Sequence, residues 1–155
     1  MENPDDTEII LVNLSGEDKP GVTAALTDIL AQYDANILDI GQANIHHSLS
    51  LAILFEAKTK DSGEILKNML FKATELSISI RFSPLSKTEY SNWVNLQGKN
   101  RYIITVLGRE LKAKQIAIVT EIIRQHKLNI ESITRLTGKV PIEIKSVSYN
   151  HRTLP

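Results

Sequence analysis

Asp18-Lys19-Pro20-Gly21-Val22-Thr23 is the stretch of this chain whose residue types and spacing could do chemistry. It joins an apolar strand-like run, Ile9 to Leu14, to an amphipathic helical run that starts at Val22. Proline at such a junction presets φ for a first helical turn, where its missing N–H costs nothing. Glycine has no Cβ, so another molecule can approach the unpaired N–H groups of the helix start. That end also carries the positive pole of the helix dipole, which suits a carboxylate or a phosphate. Gly21 and Val22 are the expected backbone donors, and Asp18 is placed either to cap the helix or to take a ligand's ammonium group. Asn36, expected at the start of the next strand on the same rim, carries a carboxamide that both donates and accepts. The six residues Asp18, Lys19, Pro20, Gly21, Val22 and Asn36 thus form a candidate site for a small anion-bearing ligand. The simpler reading is a capped helix and a tight turn, and Asn129 occupies the place of Asn36 in an internal repeat.

Other reactive side chains group poorly. His46 and His47 are adjacent, so in a strand they would point to opposite faces and could not hold one ion; a loop is the expectation. No cysteine is present, so there is neither a disulfide framework nor a thiolate metal site, and no metal or cofactor is expected. Asp5-Asp6 are adjacent carboxylates but lie in an acidic N-terminal stretch, and no Asp-x-Asp pair occurs. Tyr90 and Trp93 have no basic patch around them and are expected to anchor a helix rather than stack bases.

The elements that position the loop follow from periodicity. Glu8 to Ser15 reads as a strand, and Val22, Ala25, Leu26, Ile29, Leu30 and Tyr33 keep the spacing of a helix with one buried stripe. Asn36 to Ile45 and Leu49 to Glu56 read as strands around a His46-His47-Ser48 loop. Asp61 with Glu64 reads as a capping pair opening a helix whose stripe is Ile65, Leu66, Met69, Leu70, Ala73 and Leu76. Ser79 to Phe82 closes the series as a short strand before Pro84. The βαββαβ order predicts an α+β, ferredoxin-like sandwich, with an antiparallel sheet and both helices on one face.

The chain then repeats itself. Thr27-Asp28-Ile29-Leu30-Ala31-Gln32 through Asn36-Ile37 and Ile40 matches Thr120-Glu121-Ile122-Ile123-Arg124-Gln125 through Asn129-Ile130 and Ile133. Upstream, Leu14-Ser15-Gly16 faces Val106-Leu107-Gly108, one residue out of phase. Residues 8–84 form the first copy, 85–100 a linker with a short helix from Ser86 to Val94, and 101–155 the second copy. The second copy is expected to give a strand at Tyr102 to Leu107, a helix from Ala113 to His126 and a strand at Asn129 to Leu136. Ile142 to Val147 could add one more strand, but a second helix does not fit, so this copy is truncated or completed from outside. Lys112-Ala113 replaces Pro20-Gly21, and its own pocket is expected to be degraded.

At 155 residues, with 42% hydrophobic residues and a formal net charge of +0, the chain can fold as one or two small domains. No global field draws it to nucleic acid or anionic lipid. The polar N-terminus does not read as an export signal, and no apolar run approaches the roughly 18 residues of a membrane span. A cytoplasmic protein with no nucleic-acid or membrane partner is expected.

Gly16-x-Asp18-x-Pro20-Gly21-Val22-Thr23, followed by Asn36-Ile37, resembles the ACT domain. ACT domains are regulatory modules that bind amino acids between βαββαβ units. Pro20 to Leu26, Ile37 to Ala43 and Gln97 to Tyr102 together resemble the N-terminal tandem ACT region of bacterial phosphoserine phosphatases. The resemblance implies an amino-acid-sensing module, with serine as the natural ligand, which assembles through its sheets as a homo-oligomer. Such phosphatases need an Asp-x-Asp pair as nucleophile and general acid, so this chain reads as a regulatory part without the enzyme. The alternative is an assembly module that binds no ligand.

Overall fold

Alternating aliphatic residues build β1 (Thr7–Glu17) and β3 (Ser48–Lys58), and each sends every second side chain into one core. A computed structural model describes residues 6–98 and 100–135. Between these strands run α1 (Val22–Gln32) and β2 (Asn36–Ile45), and after them α2 (Thr59–Glu75), β4 (Ser79–Leu85) and α3 (Lys87–Leu96). The four strands form an antiparallel sheet in the order β2-β3-β1-β4. Ile10, Val12 and Leu14 of β1 and Leu49, Leu51, Ile53 and Phe55 of β3 face the helices. Against them pack Val22, Leu26, Ile29 and Leu30 of α1 and Ile65 and Met69 of α2. The Asn68 amide donates to Tyr33 Oη at 2.9 Å and ties the two helices together. This is the expected βαββαβ sandwich.

Several local expectations change. Pro84 does not end β4, which runs on to Leu85 opposite Ile9. Its missing N–H is tolerated because β4 is an edge strand. Asp61 does not cap α2. The helix starts at Thr59, whose N–H is taken by Asp6 O at 2.9 Å, and Asp61 sits inside the first turn, where its charge suits the dipole. Leu70, expected in the buried stripe, is exposed. β2 carries a bulge between Ile37 and Asp39 that leaves Leu38 out of the ladder. Leu38 instead lines a cleft with Ile9, Glu56 and Tyr90, where α3 begins. The Ser86–Glu89 capping box of α3 is present as expected.

The chain divides into two units, Met1–Arg101 and Tyr102–Pro155. In the second, α4 (Ala113–Gln125) matches the expected helix. The strands expected at Tyr102 to Leu107 and Asn129 to Leu136 do not form among the described residues, and residues 102–107 and 129–135 belong to no sheet. A strand exists only through a ladder partner, and none lies beside them among the described residues. The possible strand at Ile142 to Val147 lies outside the described residues.

Candidate functional site

The β1–α1 connection is a type II turn. Pro20 supplies the fixed φ of its second position and Gly21, at φ 88° and ψ −3°, the left-handed third position. Val22 N–H points back toward Lys19 O at 3.5 Å. The helix begins only at Val22, so the expectation that Pro20 opens the first helical turn is corrected: proline opens the turn that precedes it. A Cβ placed on Gly21 would meet nothing within 4 Å, so glycine is needed here for its conformation, and the space beside it is open. Gly16 has the opposite reason: a Cβ there would lie 3.1 Å from the Ile78 side chain and 3.3 Å from its Cα.

The N-terminus of α1 has no side-chain cap and no acidic residue in its first turn. Asp18, one of the two roles weighed for it being that cap, does something else. Its N–H donates to His47 O at 2.8 Å, which pins the loop to the β2–β3 hairpin, and its Oδ2 accepts from Asn44 Nδ2 at 2.5 Å. Asn44 Oδ1 in turn accepts from Gln42 Nε2 at 3.2 Å, and Gln42 Oε1 accepts from the Thr23 hydroxyl at 2.7 Å. Every donor in this chain points onward to the Asp18 carboxylate. Gln42 and Asn44 project from the same face of β2 because they are two residues apart. The result is a solvent-exposed polar arc from the first turn of α1 to Asp18, beside a helix pole with unspent N–H groups. Lys19 lies 3.5 Å from Glu17 and is exposed.

Asn36 is not part of this arc. β1 and β2 both pair antiparallel with β3, so they run the same way, and their starts share the far end of the sheet. Asn36 faces Glu56, which faces Ile9, while the loop leaves β1 at Glu17. Eight residues of strand, about 26 Å, separate the two ends. The expectation that Asn36 shares the loop's rim is therefore corrected for a single unit. The order of elements alone does not separate the two ends, but a helix crossover returns the chain to the opposite end before the next strand starts.

Thr23 belongs to the stretch singled out in the sequence, whereas Gln42 and Asn44 are not among its candidate residues. The available signal was the polar pair at i and i+2 near the end of β2, the end that runs back to the loop. The adjacent histidines occupy the hairpin as expected, with rings 4.4 Å apart edge to face and His46 at φ 57°. Among the described residues no group of three His, Cys, Asp or Glu could hold a metal ion, and no helix is long and apolar enough to cross a membrane.

The family match agrees with the fold. Residues 8–83 match the ACT domain family. The phosphoserine phosphatase of Streptomyces coelicolor is 29% identical over 137 residues, which are 88% of this chain and 32% of that enzyme. This chain thus spans about a third of that relative's length. The UPF0237 protein MJ1558 of Methanocaldococcus jannaschii is 33% identical over 67 residues, 43% of this chain and 74% of that protein. Among solved structures, an ACT domain protein from Streptococcus pneumoniae aligns with a TM-score of 0.43 at 20% identity, over 50% of this chain and 89% of that one.

Proposed function

Since the chain belongs to the ACT-domain family, we propose that it is an amino-acid-sensing regulatory module whose ligand sits at the start of α1, with serine the first candidate. The observation that carries this reading is the uncapped helix pole flanked by the Thr23–Gln42–Asn44–Asp18 arc. A carboxylate would lie against the first-turn N–H groups beside Gly21, where no protein side chain competes. The Asp18 carboxylate would take the ammonium group, and the Gln42 and Asn44 carboxamides would serve a side-chain hydroxyl. The likeness to a phosphoserine phosphatase points to serine rather than a larger amino acid.

Asn36 enters this site only from another copy. β2 is an edge strand without lysine or proline; its bulge and Asp39 guard only its start, and its Ile37 and Ile40 side chains are exposed, so its later part remains open to pairing. Antiparallel pairing of β2 with β2 of a second copy would set the start of one strand beside the end of the other. Asn36 of each copy would then approach the Asp18 loop of its partner. The same edge supports the second reading, an assembly module with no ligand.

A calorimetric screen of the twenty amino acids separates the two. Serine is expected to bind, and Asn44→Ala to weaken it by about 1–3 kcal/mol, because it removes one hydrogen bond and strands the Asp18 carboxylate. If no amino acid binds to the folded chain, the assembly reading replaces the sensor. Neither reading includes chemistry: O-phosphoserine is expected to survive incubation with the pure chain and Mg²⁺, and turnover that persists through repurification would overturn that.

A further inference from the structure

The sheet has a second face, turned away from α1 and α2. Ile10, Val12 and Leu14 of β1 point to those helices, so Ile9, Leu11 and Asn13 point the other way. On β3 Ile53 and Phe55 take the inner face, which leaves Leu54 and Glu56 on the outer one. Such a face usually meets water, yet Ile9 is 5% exposed and Leu54 8% exposed. The start of α3 lies over this end of the face. A cleft of about 290 Å³ remains there, lined by Ile9, Leu38 and Glu56 from the sheet and by Lys87, Tyr90 and Ser91 from the helix. That volume is at the lower end of the range of small-molecule sites.

Its floor and its wall carry opposite charges. In the strand order β2-β3-β1, Glu56 of β3 sits between Leu38 of β2 and Ile9 of β1, a carboxylate with an aliphatic side chain on either hand. Glu56 is half-buried, and its Oε1 accepts from the Thr7 hydroxyl at 2.8 Å. The hydroxyl is neutral, so this bond orients the carboxylate without cancelling its charge. The bulge between Ile37 and Asp39 releases Leu38 from the ladder to line the floor. On the wall, Lys87, Tyr90 and Ser91 share one face of α3 because they are spaced i, i+3, i+4. The Ser86–Glu89 capping box fixes where that wall begins.

The occupant follows from this pairing of charges. A lone anion would face Glu56, and a lone cation would face Lys87. An uncharged apolar molecule would strip water from both charges and replace it for neither. A molecule with both charges satisfies both. The acid belongs to the sheet and the base to the helix, and packed layers lie roughly 10 Å apart. The ligand therefore carries its charges at two ends of an apolar body, not on one carbon. We propose that this cleft binds a small zwitterion of that kind, its ammonium at Glu56, its acid group at Lys87 and its body against Ile9, Leu38 and Tyr90. The site is separate from the Asp18 arc. Gln42 and Asn44 pair with Leu51 and Leu49, whose side chains face the helices, so the arc lies on the inner face and at the other end of the sheet. The inference does not rest on serine binding.

The probe is trans-4-(aminomethyl)cyclohexanecarboxylate, with cyclohexylmethylamine and cyclohexanecarboxylate as its single-charge halves. Calorimetry on the full chain is expected to give the zwitterion a Kd of roughly 1 mM or tighter, with each half roughly 10-fold or more weaker. Glu56→Gln keeps an acceptor for the Thr7 hydroxyl and removes only the charge. Glu56→Gln and Lys87→Met should each weaken the zwitterion roughly 10-fold or more while the melting temperature holds. The Ile9 and Leu38 methyl resonances should shift on binding. Trp93 fluorescence should change with them, because its ring lies 5.9 Å from that of Tyr90. Serine lacks the apolar body and should not displace the probe. No binding of the zwitterion to the folded chain overturns the proposal. So do halves that bind as tightly as the whole, or binding that ignores both substitutions. Displacement by serine would put the probe at the start of α1 and overturn it as well.

Discussion

In the first unit Leu26, Ile29 and Leu30 of α1 close over a four-stranded sheet and are buried. In the second, the matching Val119, Ile122 and Ile123 of α4 are half-buried or exposed, although helix, turn and spacing are the same. The difference shows that an apolar stripe specifies a helix but not its burial. Burial needs a surface supplied by other elements. A helix of 13 residues, as α4 is, lies in the length range where an isolated helix is marginal. The first unit draws its stability from packing, while the second carries the pattern without a partner among the described residues.

The largest effect that tests this contrast is in the two cores. Leu30→Ala should lower the stability of the first unit by about 2–5 kcal/mol, the cost of deleting a buried leucine in a packed site. Ile123→Ala, at the matched position of α4, should leave that transition within about 0.5 kcal/mol. Trp93, the sole tryptophan, lies in the first unit, so its fluorescence in a urea titration follows that unit alone. Equal shifts in both variants would mean that the units unfold together.

Next in size is the contrast between the two ends of one sheet. Asp18→Ala and Asn36→Ala should each weaken serine binding by about 1–3 kcal/mol. If Asn36 serves the loop of a second copy, an equal mixture of the two variants recovers some intact sites, roughly a quarter in a randomly exchanged dimer. No recovery, together with a lower melting temperature for Asn36→Ala alone, would assign Asn36 to the turn after α1. The sequence repeat already hints at that structural role, since Asn129 follows the same left-handed turn at Lys127.

How far the sequence could be read depended on the range of the interaction. Element types in the first unit were legible because each stripe is a local pattern, and β2 ran from Asn36 to Ile45 as its residues suggested. The candidate loop was legible from Pro20-Gly21, though its turn type was not. Proline before glycine fits both a helix start and a type II turn, and only the left-handed φ of Gly21 separates them. Asp18's partners were out of sight because Asn44 is 26 residues away and reaches it only through strand register. The strands expected in the second unit do not form among the described residues for the same reason: Ile103 and Ile104 look like a strand, but a strand is a relation between segments.

The two helix-start loops allow a smaller test. Gly21→Ala should cost about 1–2 kcal/mol, because φ 88° is strained for any side chain even where the Cβ has room. Ala113→Gly at the corresponding α4 start should cost no more than about 1 kcal/mol, through backbone entropy alone. Thermal melting of both variants decides this. A neutral Gly21→Ala would mean that the turn relaxes into another type, and the open space beside the helix pole would then have a different shape.

The smallest effect separates two carboxylates, Glu89 on α3 of the first unit and Glu121 on α4 of the second. Hydrogen bonds from the Ser86 backbone N–H and hydroxyl, each 2.8 Å from Glu89 Oε2, hold Glu89 below the usual glutamate range. Glu121 is lowered chiefly by the Arg124 guanidinium, with Nε at 2.8 Å and Nη2 at 2.7 Å. Because both folded values are depressed, each contribution is fully present above the unfolded glutamate value and is lost as pH falls through the folded one. Acid should therefore loosen the start of α3 and the pair on α4 alike. Salt at neutral pH should not. The donors to Glu89 are neutral and local, whereas the Glu121–Arg124 pair is an exposed ion pair that counterions screen. Nuclear magnetic resonance titration of the Ser86 amide and the Arg124 Nε–H, at low and high salt, reads both groups at once. The expected result is a salt-dependent Arg124 signal and a salt-independent Ser86 signal, each moving only at acid pH. Should the Ser86 signal shift with salt as strongly as that of Arg124, the cap on α3 would be an electrostatic contact like the one on α4, and this last difference between the two units would vanish.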